Sequence, residues 1–78
     1  MNPRLVLNEI KWKDEYDFTQ VEISYIHRGA TNDTKIIHGI DIVSLDHSFI
    51  QIQHSMIPYH RVFKIKYKEK IVFERKKK

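Results

Sequence analysis

Alternation of apolar and polar residues constrains this chain more than any other feature. Val21, Ile23, Tyr25 and His27 fall on one side of an extended segment, with Glu22, Ser24 and Ile26 on the other. Phe63, Ile65 and Tyr67 repeat the pattern against Val62, Lys64 and Lys66. A period of two belongs to a β-strand, whose successive side chains point to opposite faces. Residues 18–28 and 61–68 are therefore predicted strands.

The remaining elements follow from local signals. Asn2-Pro3 is a helix start, because Asn caps well and Pro is tolerated in the first turn. Leu5, Val6, Ile10 and Trp12 form a loosely helical stripe, and Glu9 and Lys13 are in i,i+4 register. The helix should end near Lys13-Asp14, with 14–17 as a connector. Residues 29–34 are rich in Gly, Asn, Asp and Thr and read as a loop. Residues 35–43 read as a strand. Its Gly39 signals a bulge, or a place where another backbone or a ligand comes close. Residues 44–47 turn the chain, 48–53 form a short strand, and 54–59 connect onward through Pro58. A tight hairpin at Glu69 or Lys70 leads to a last strand at 71–74, without the usual Asn-Gly or Asp-Gly. The expected class is α+β: an N-terminal helix, then about five mainly antiparallel strands in a small sheet or open barrel.

With 78 residues, the chain is expected to form one domain over 1–78, with 75–78 as a basic tail. There is no cysteine, which excludes disulfides and thiolate metal sites. No apolar run approaches the roughly 20 residues a membrane span needs, and the N-terminus does not resemble a signal peptide. A soluble, cytoplasmic protein without membrane contact is the expectation. Charge is divided unevenly: net −3 over residues 1–60 and +7 over 61–78. A clustered basic face is the footprint that matches a phosphate backbone.

Two copies of a His-Arg pair stand out chemically. One lies in Tyr25-Ile26-His27-Arg28-Gly29-Ala30, the other in Ile57-Pro58-Tyr59-His60-Arg61. A guanidinium offers a planar fork of donors that matches phosphate or carboxylate oxygens. An imidazole beside it can donate, accept or move a proton near neutral pH. Strand parity directs His27 and Arg61 toward the rim of the apolar face, so both pairs are expected at one end of the sheet. Backbone N–H groups near Gly29-Ala30 would add donors for an anion. The competing structural reading pairs each Arg with a carboxylate such as Asp33 or Asp46.

Trp12 and Tyr25 are expected in the core, and Tyr59 toward a ligand. Lys64, Lys66 and Lys68 make a stripe that could track an RNA backbone, or merely protect a solvated edge. The five histidines lack metal-ligand spacing, and no Walker loop, dinucleotide motif or nucleophile elbow is present. Neither a metal nor a cofactor is expected.

The segments His27-Arg28-Gly29-Ala30 with Asp33 and Gly39, then Ser48-Phe49, Ile57-Pro58-Tyr59-His60-Arg61-Val62 and Val72-Phe73-Glu74-Arg75 resemble a small archaeal family. It was long a conserved domain of unknown function and is now described as an RNA cyclic group end recognition domain. The resemblance runs from about residue 7 to residue 75. It implies an RNA-binding module whose ligand is a single-stranded RNA end bearing a 2′,3′-cyclic phosphate, with RNA-processing enzymes as further partners. Matched by position, the family's polar signature falls on His27, Arg28, Asp33, His60 and Arg61. On this reading Arg28 and Arg61 grip the free phosphate oxygens, and His27 and His60 donate to bridging or sugar oxygens. Tyr59 stacks on the terminal base, and Asp33 orients Arg28 or a loop amide. Thr31 stands where Pro is expected, Glu69 where Gly is expected, and Phe73 where Trp is common.

Three functions fit these residues. The favoured one is a binding module without turnover. The second is a metal-independent cyclic phosphodiesterase or nuclease using His27 and His60 as base and acid. The third is a small basic adaptor in RNA processing. Exposed edge strands permit a dimer without requiring one.

Overall fold

The computed structural model describes residues 2–76, which form one α-helix, seven strands and four single 3-10 turns. Helix α1 spans Pro3–Trp12. Its first turn is capped by Asn2, whose side-chain oxygen accepts from the Leu5 N–H at 2.9 Å. Pro3, Val6, Leu7 and Ile10 are buried, a 3-6-7-10 spacing that puts them on one helical face. Leu5 and Trp12, expected on the apolar stripe, lie seven residues apart on the opposite face. Trp12 is 78% exposed, which corrects its expected place in the core.

A turn at Phe18–Gln20 leads into β1 (Val21–Ile26). The hairpin partner β2 is Thr34–His38, with Ile23 opposite Ile37 and Tyr25 opposite Lys35. Strand β3 (Ile42–Leu45) pairs with β4 (Phe49–Ile52), and β4 with β5 (Ser55–Pro58). Strand β6 (Val62–Tyr67) returns beside β1, and β7 (Lys70–Glu74) closes the chain. The result is two antiparallel sheets, β2-β1-β6-β7 and β3-β4-β5, with no closed barrel. The class is α+β and mostly β.

Two strands exceed the expected five. Residues 35–43 are two strands because the turn Gly39–Asp41 carries the chain from one sheet to the other. Gly39 is buried, and a Cβ there would run into the Phe18 carbonyl oxygen. The close backbone approach read from the sequence is what breaks the strand. The 54–59 connector contains β5: Ile57 points inward, and Pro58, which lacks an N–H, sits at a sheet edge where no ladder bond is lost.

In β6 the expected parity fails at Phe63. The β1–β6 register shifts between Ser24 and Tyr25, so Val62 faces Tyr25 while Ile65 faces Ile23. The bulge turns Val62 and Ile65 inward together, both fully buried. Lys64 and Lys66 stay on the outer face, opposite Ser24 and Glu22. Leu7, Val21, Ile23, Ile50, Val62 and Ile65 form the driest part of the core shared by the helix and both sheets.

Candidate functional site

Strands β1 and β6 are antiparallel neighbours, with Tyr25 opposite Val62. The residues that follow β1 and those that precede β6 therefore share one end of the sheet. His27-Arg28 leaves β1 there, and His60-Arg61 enters β6 there in the turn Tyr59–Arg61. That turn is the second crossing between the sheets, the counterpart of Gly39–Asp41.

A pocket of about 200 Å³ opens at this end, between the two sheets. Tyr25, His27 and Lys35 line it from the larger sheet, and Ile52, Ser55, Met56, Ile57 and Pro58 from the smaller one. Arg61 closes it from the crossing turn. One side is cationic, the other apolar, and no carboxylate lines it. Tyr25 is buried and meets the His27 imidazole edge-on, with ring centroids 6.3 Å apart at 88°. That contact orients a half-buried histidine from below.

Each pair contributes one member. Arg28 and His60 are exposed and lie outside the lining. Among the described residues, the ion pairs are Lys13–Glu9 at 3.0 Å and His38–Glu22 at 3.7 Å. Neither Asp33 nor Asp46 neutralises Arg28 or Arg61, so the carboxylate-paired reading of the arginines fails.

Asp33 instead organises the loop. Its backbone carbonyl accepts the His27 N–H at 2.8 Å, and its Oδ1 accepts the Gly29 N–H at 3.3 Å. The Ala30 N–H donates to the His27 carbonyl at 3.2 Å. The Gly29 and Ala30 amides are thus engaged within the loop, which corrects their expected role as anion donors. Gly29 has φ +95°, and Asn32 and Asp33 also have positive φ. This chemistry suits Gly, Asn and Asp, so Thr31 in place of Pro does not prevent the turn.

Tyr59 is also corrected. It is buried at 9% exposure, and its hydroxyl donates to the Asp46 carbonyl at 2.8 Å. It supports the site from within and presents no face for a base. Burial pushes its hydroxyl above the usual phenol range, as it does for Tyr25. Arg75, expected at the start of the basic tail, is anchored: Nη2 donates to the Tyr59 carbonyl at 2.9 Å and Nε to the Val62 carbonyl at 2.8 Å. Lys76 is exposed, and Lys77 and Lys78 lie outside the described residues.

The lysine stripe sits elsewhere. Lys64 and Lys66 face away from the pocket, with Glu74 and Glu22 as cross-strand neighbours. Lys68 lies in the β6–β7 turn, 5.6 Å from the Tyr67 ring centre. Lys35 is the site residue that the sequence reading missed. The available signal was register: as the cross-strand partner of Tyr25 it had to share the face of His27. Among the described residues, no three His, Asp or Glu side chains gather as a metal site. No described helix is long and apolar enough to cross a membrane.

Comparison with known proteins gives a consistent answer. A family model described as the MJ1316 RNA cyclic group end recognition domain matches residues 1–75. A UPF0248 protein of Archaeoglobus fulgidus is 34% identical over 70 residues, covering 88% of this chain and 99% of that protein. UPF0248 protein MJ1316 of Methanocaldococcus jannaschii is 32% identical over 73 residues, covering 91% of this chain and 90% of that protein. A UPF0248 protein of Methanococcus maripaludis is 33% identical over 60 residues, covering 77% of this chain and 78% of that protein. No solved structure matches.

Proposed function

The chain belongs to the family of the MJ1316 RNA cyclic group end recognition domain, and from that membership we propose that it binds phosphate-bearing RNA ends, the 2′,3′-cyclic phosphate among them. The observation that carries this reading is the meeting of His27 and Arg61, from two distant His-Arg copies, in one pocket with Lys35. A terminal phosphate is the chemistry such a lining favours. The guanidinium fork takes two free phosphate oxygens, the ammonium adds positive charge beside them, and the imidazole reaches the sugar side. Ile52, Ile57 and Pro58 offer an apolar wall for the ribose. At about 200 Å³ the pocket is smaller than those that enclose a whole drug-sized ligand, roughly 300–1,000 Å³. It suits an end group, with the base left outside.

Binding without turnover fits better than hydrolysis. Two-histidine acid–base chemistry needs imidazoles on opposite sides of one phosphorus. Only His27 lines the pocket, and His60 is exposed. Arg28 and His60 flank the rim and serve as secondary contacts to the incoming strand.

The test is a titration of one short RNA with a cyclic phosphate end or a hydroxyl end, at two salt concentrations. The cyclic end should bind more tightly. His27→Ala and Arg61→Ala should remove most of the difference, while Arg28→Ala and His60→Ala remove less. Contacts along a single-stranded backbone weaken with salt by a log–log slope of about −0.7 per phosphate, and the end preference should outlast them. Equal affinity for the two ends at both salts would sink the proposal.

A further inference from the structure

We infer that the pocket prefers the opened terminal phosphate, a 2′- or 3′-monophosphate, to the closed ring; this rests on the RNA-end reading above. The ground is a mismatch of charge. His27, Lys35 and Arg61 line the pocket, and no carboxylate does. Among the described residues none of the three is neutralised by an ion pair.

A 2′,3′-cyclic phosphate is a diester. It carries one negative charge and two free oxygens, which the fork of Arg61 alone can satisfy. A linear terminal monoester carries about −1.5 to −2 near neutral pH and presents three acceptor oxygens. Lys35 then has a partner that the ring does not give it, and the second charge answers the second permanent cation. Dehydrating a dianion costs more than dehydrating a monoanion. Here that cost is limited, because Lys35 and Arg61 are exposed and leave the outer phosphate oxygens in contact with water.

Lys35 is thereby the residue that sets end preference. Its side chain projects from edge strand β2 opposite Tyr25, and among the described residues it makes no ion pair that its removal would break. Substitution there leaves the fold intact, and a thermal melt checks this directly.

The experiment uses three RNAs that differ only at the 3′ end: hydroxyl, linear 3′-phosphate and 2′,3′-cyclic phosphate. Each is titrated against the whole chain near neutral pH, with chromatography to confirm that the cyclic end stays closed. The linear phosphate should bind about tenfold more tightly than the ring, the scale of one added charge-assisted hydrogen bond. Lys35→Gln should collapse that advantage while weakening the cyclic end less. A linear end that binds no more tightly than the ring overturns the inference and leaves the RNA-end reading standing. The same holds if Lys35→Gln lowers both affinities by one factor. Three equal affinities overturn both.

Discussion

Arg75 holds the backbone of Tyr59: its Nη2 lies 2.9 Å from the Tyr59 carbonyl oxygen, while its Nε reaches the Val62 carbonyl at 2.8 Å. One guanidinium thus spans the turn that carries His60 and Arg61. Both bonds use the planar fork, which an ammonium cannot reproduce. Arg75→Lys should therefore cost about 1–2 kcal/mol in urea unfolding and weaken RNA-end binding through a displaced Arg61. A variant with wild-type stability and affinity would show that the turn needs no such clamp.

The two glycines should respond differently to alanine. At Gly39 the added Cβ meets the Phe18 carbonyl, and backbone cannot move aside cheaply. Gly39→Ala should destabilise by about 3 kcal/mol, the upper range for overpacking. At Gly29 the space is open and only the positive φ is strained. Gly29→Ala should cost about 1 kcal/mol. Denaturant midpoints in the reverse order would contradict the close approach at Gly39.

The β6–β7 turn holds Lys68 at φ 47° and Glu69 at φ 70°. Two consecutive left-handed residues are the signature of a type I′ hairpin, which favours Gly. Glu69→Gly should raise stability by about 0.5–1 kcal/mol. It should leave RNA binding unchanged, because Glu69 does not line the pocket. A lower melting temperature would refute this.

Tyr25 and Tyr59 carry hydroxyls that burial holds above the ordinary phenol range. A group with a raised folded pKa contributes its full stability below the unfolded value, about 10. It loses that contribution as pH rises through the folded value. Stability should therefore fall on the alkaline side of pH 10, and Tyr59→Phe should flatten that fall. Tyr59→Phe should also cost about 1 kcal/mol at neutral pH, since it leaves the Asp46 carbonyl without its donor. An alkaline limb identical in the variant would exclude this source.

Lys64 and Lys66 lie on the sheet face that turns away from the pocket, beside Glu74 and Glu22. Lys64→Gln and Lys66→Gln should leave the preference between phosphate and hydroxyl ends within about twofold of wild type, a change of under 0.5 kcal/mol. Loss of the preference would place the RNA end on the outer face.

The parts of the structure legible in the sequence are those governed by local chemistry. Alternation identified β1 and β6, Asn2-Pro3 marked the helix start, and Gly39 signalled the close approach of another backbone. What escaped depends on partners distant in sequence. Phe63 breaks the parity of β6 because a bulge absorbs one residue, and nothing local marks it. Trp12 resembled a core residue because it was grouped on one apolar stripe with Leu5, Val6 and Ile10, whereas helical angle places it with Leu5 on the outer side. Tyr59 resembled a ligand-facing aromatic beside Pro58 until Asp46 proved to be its partner. Lys35 drew no notice because its place beside His27 follows only from cross-strand register.

The pocket walls come from both sheets: β1 and β2 on one side, β4 and β5 on the other. Any ligand that fills it bridges a seam that the protein otherwise closes with apolar contacts. By mass action, a ligand at a hundred times its dissociation constant adds about 2.7 kcal/mol to the folded state. For a chain of this size that is a large fraction of the whole margin. On the proposed reading the pocket is a latch as well as a reader, and a bound RNA end should make the two sheets hard to prise apart.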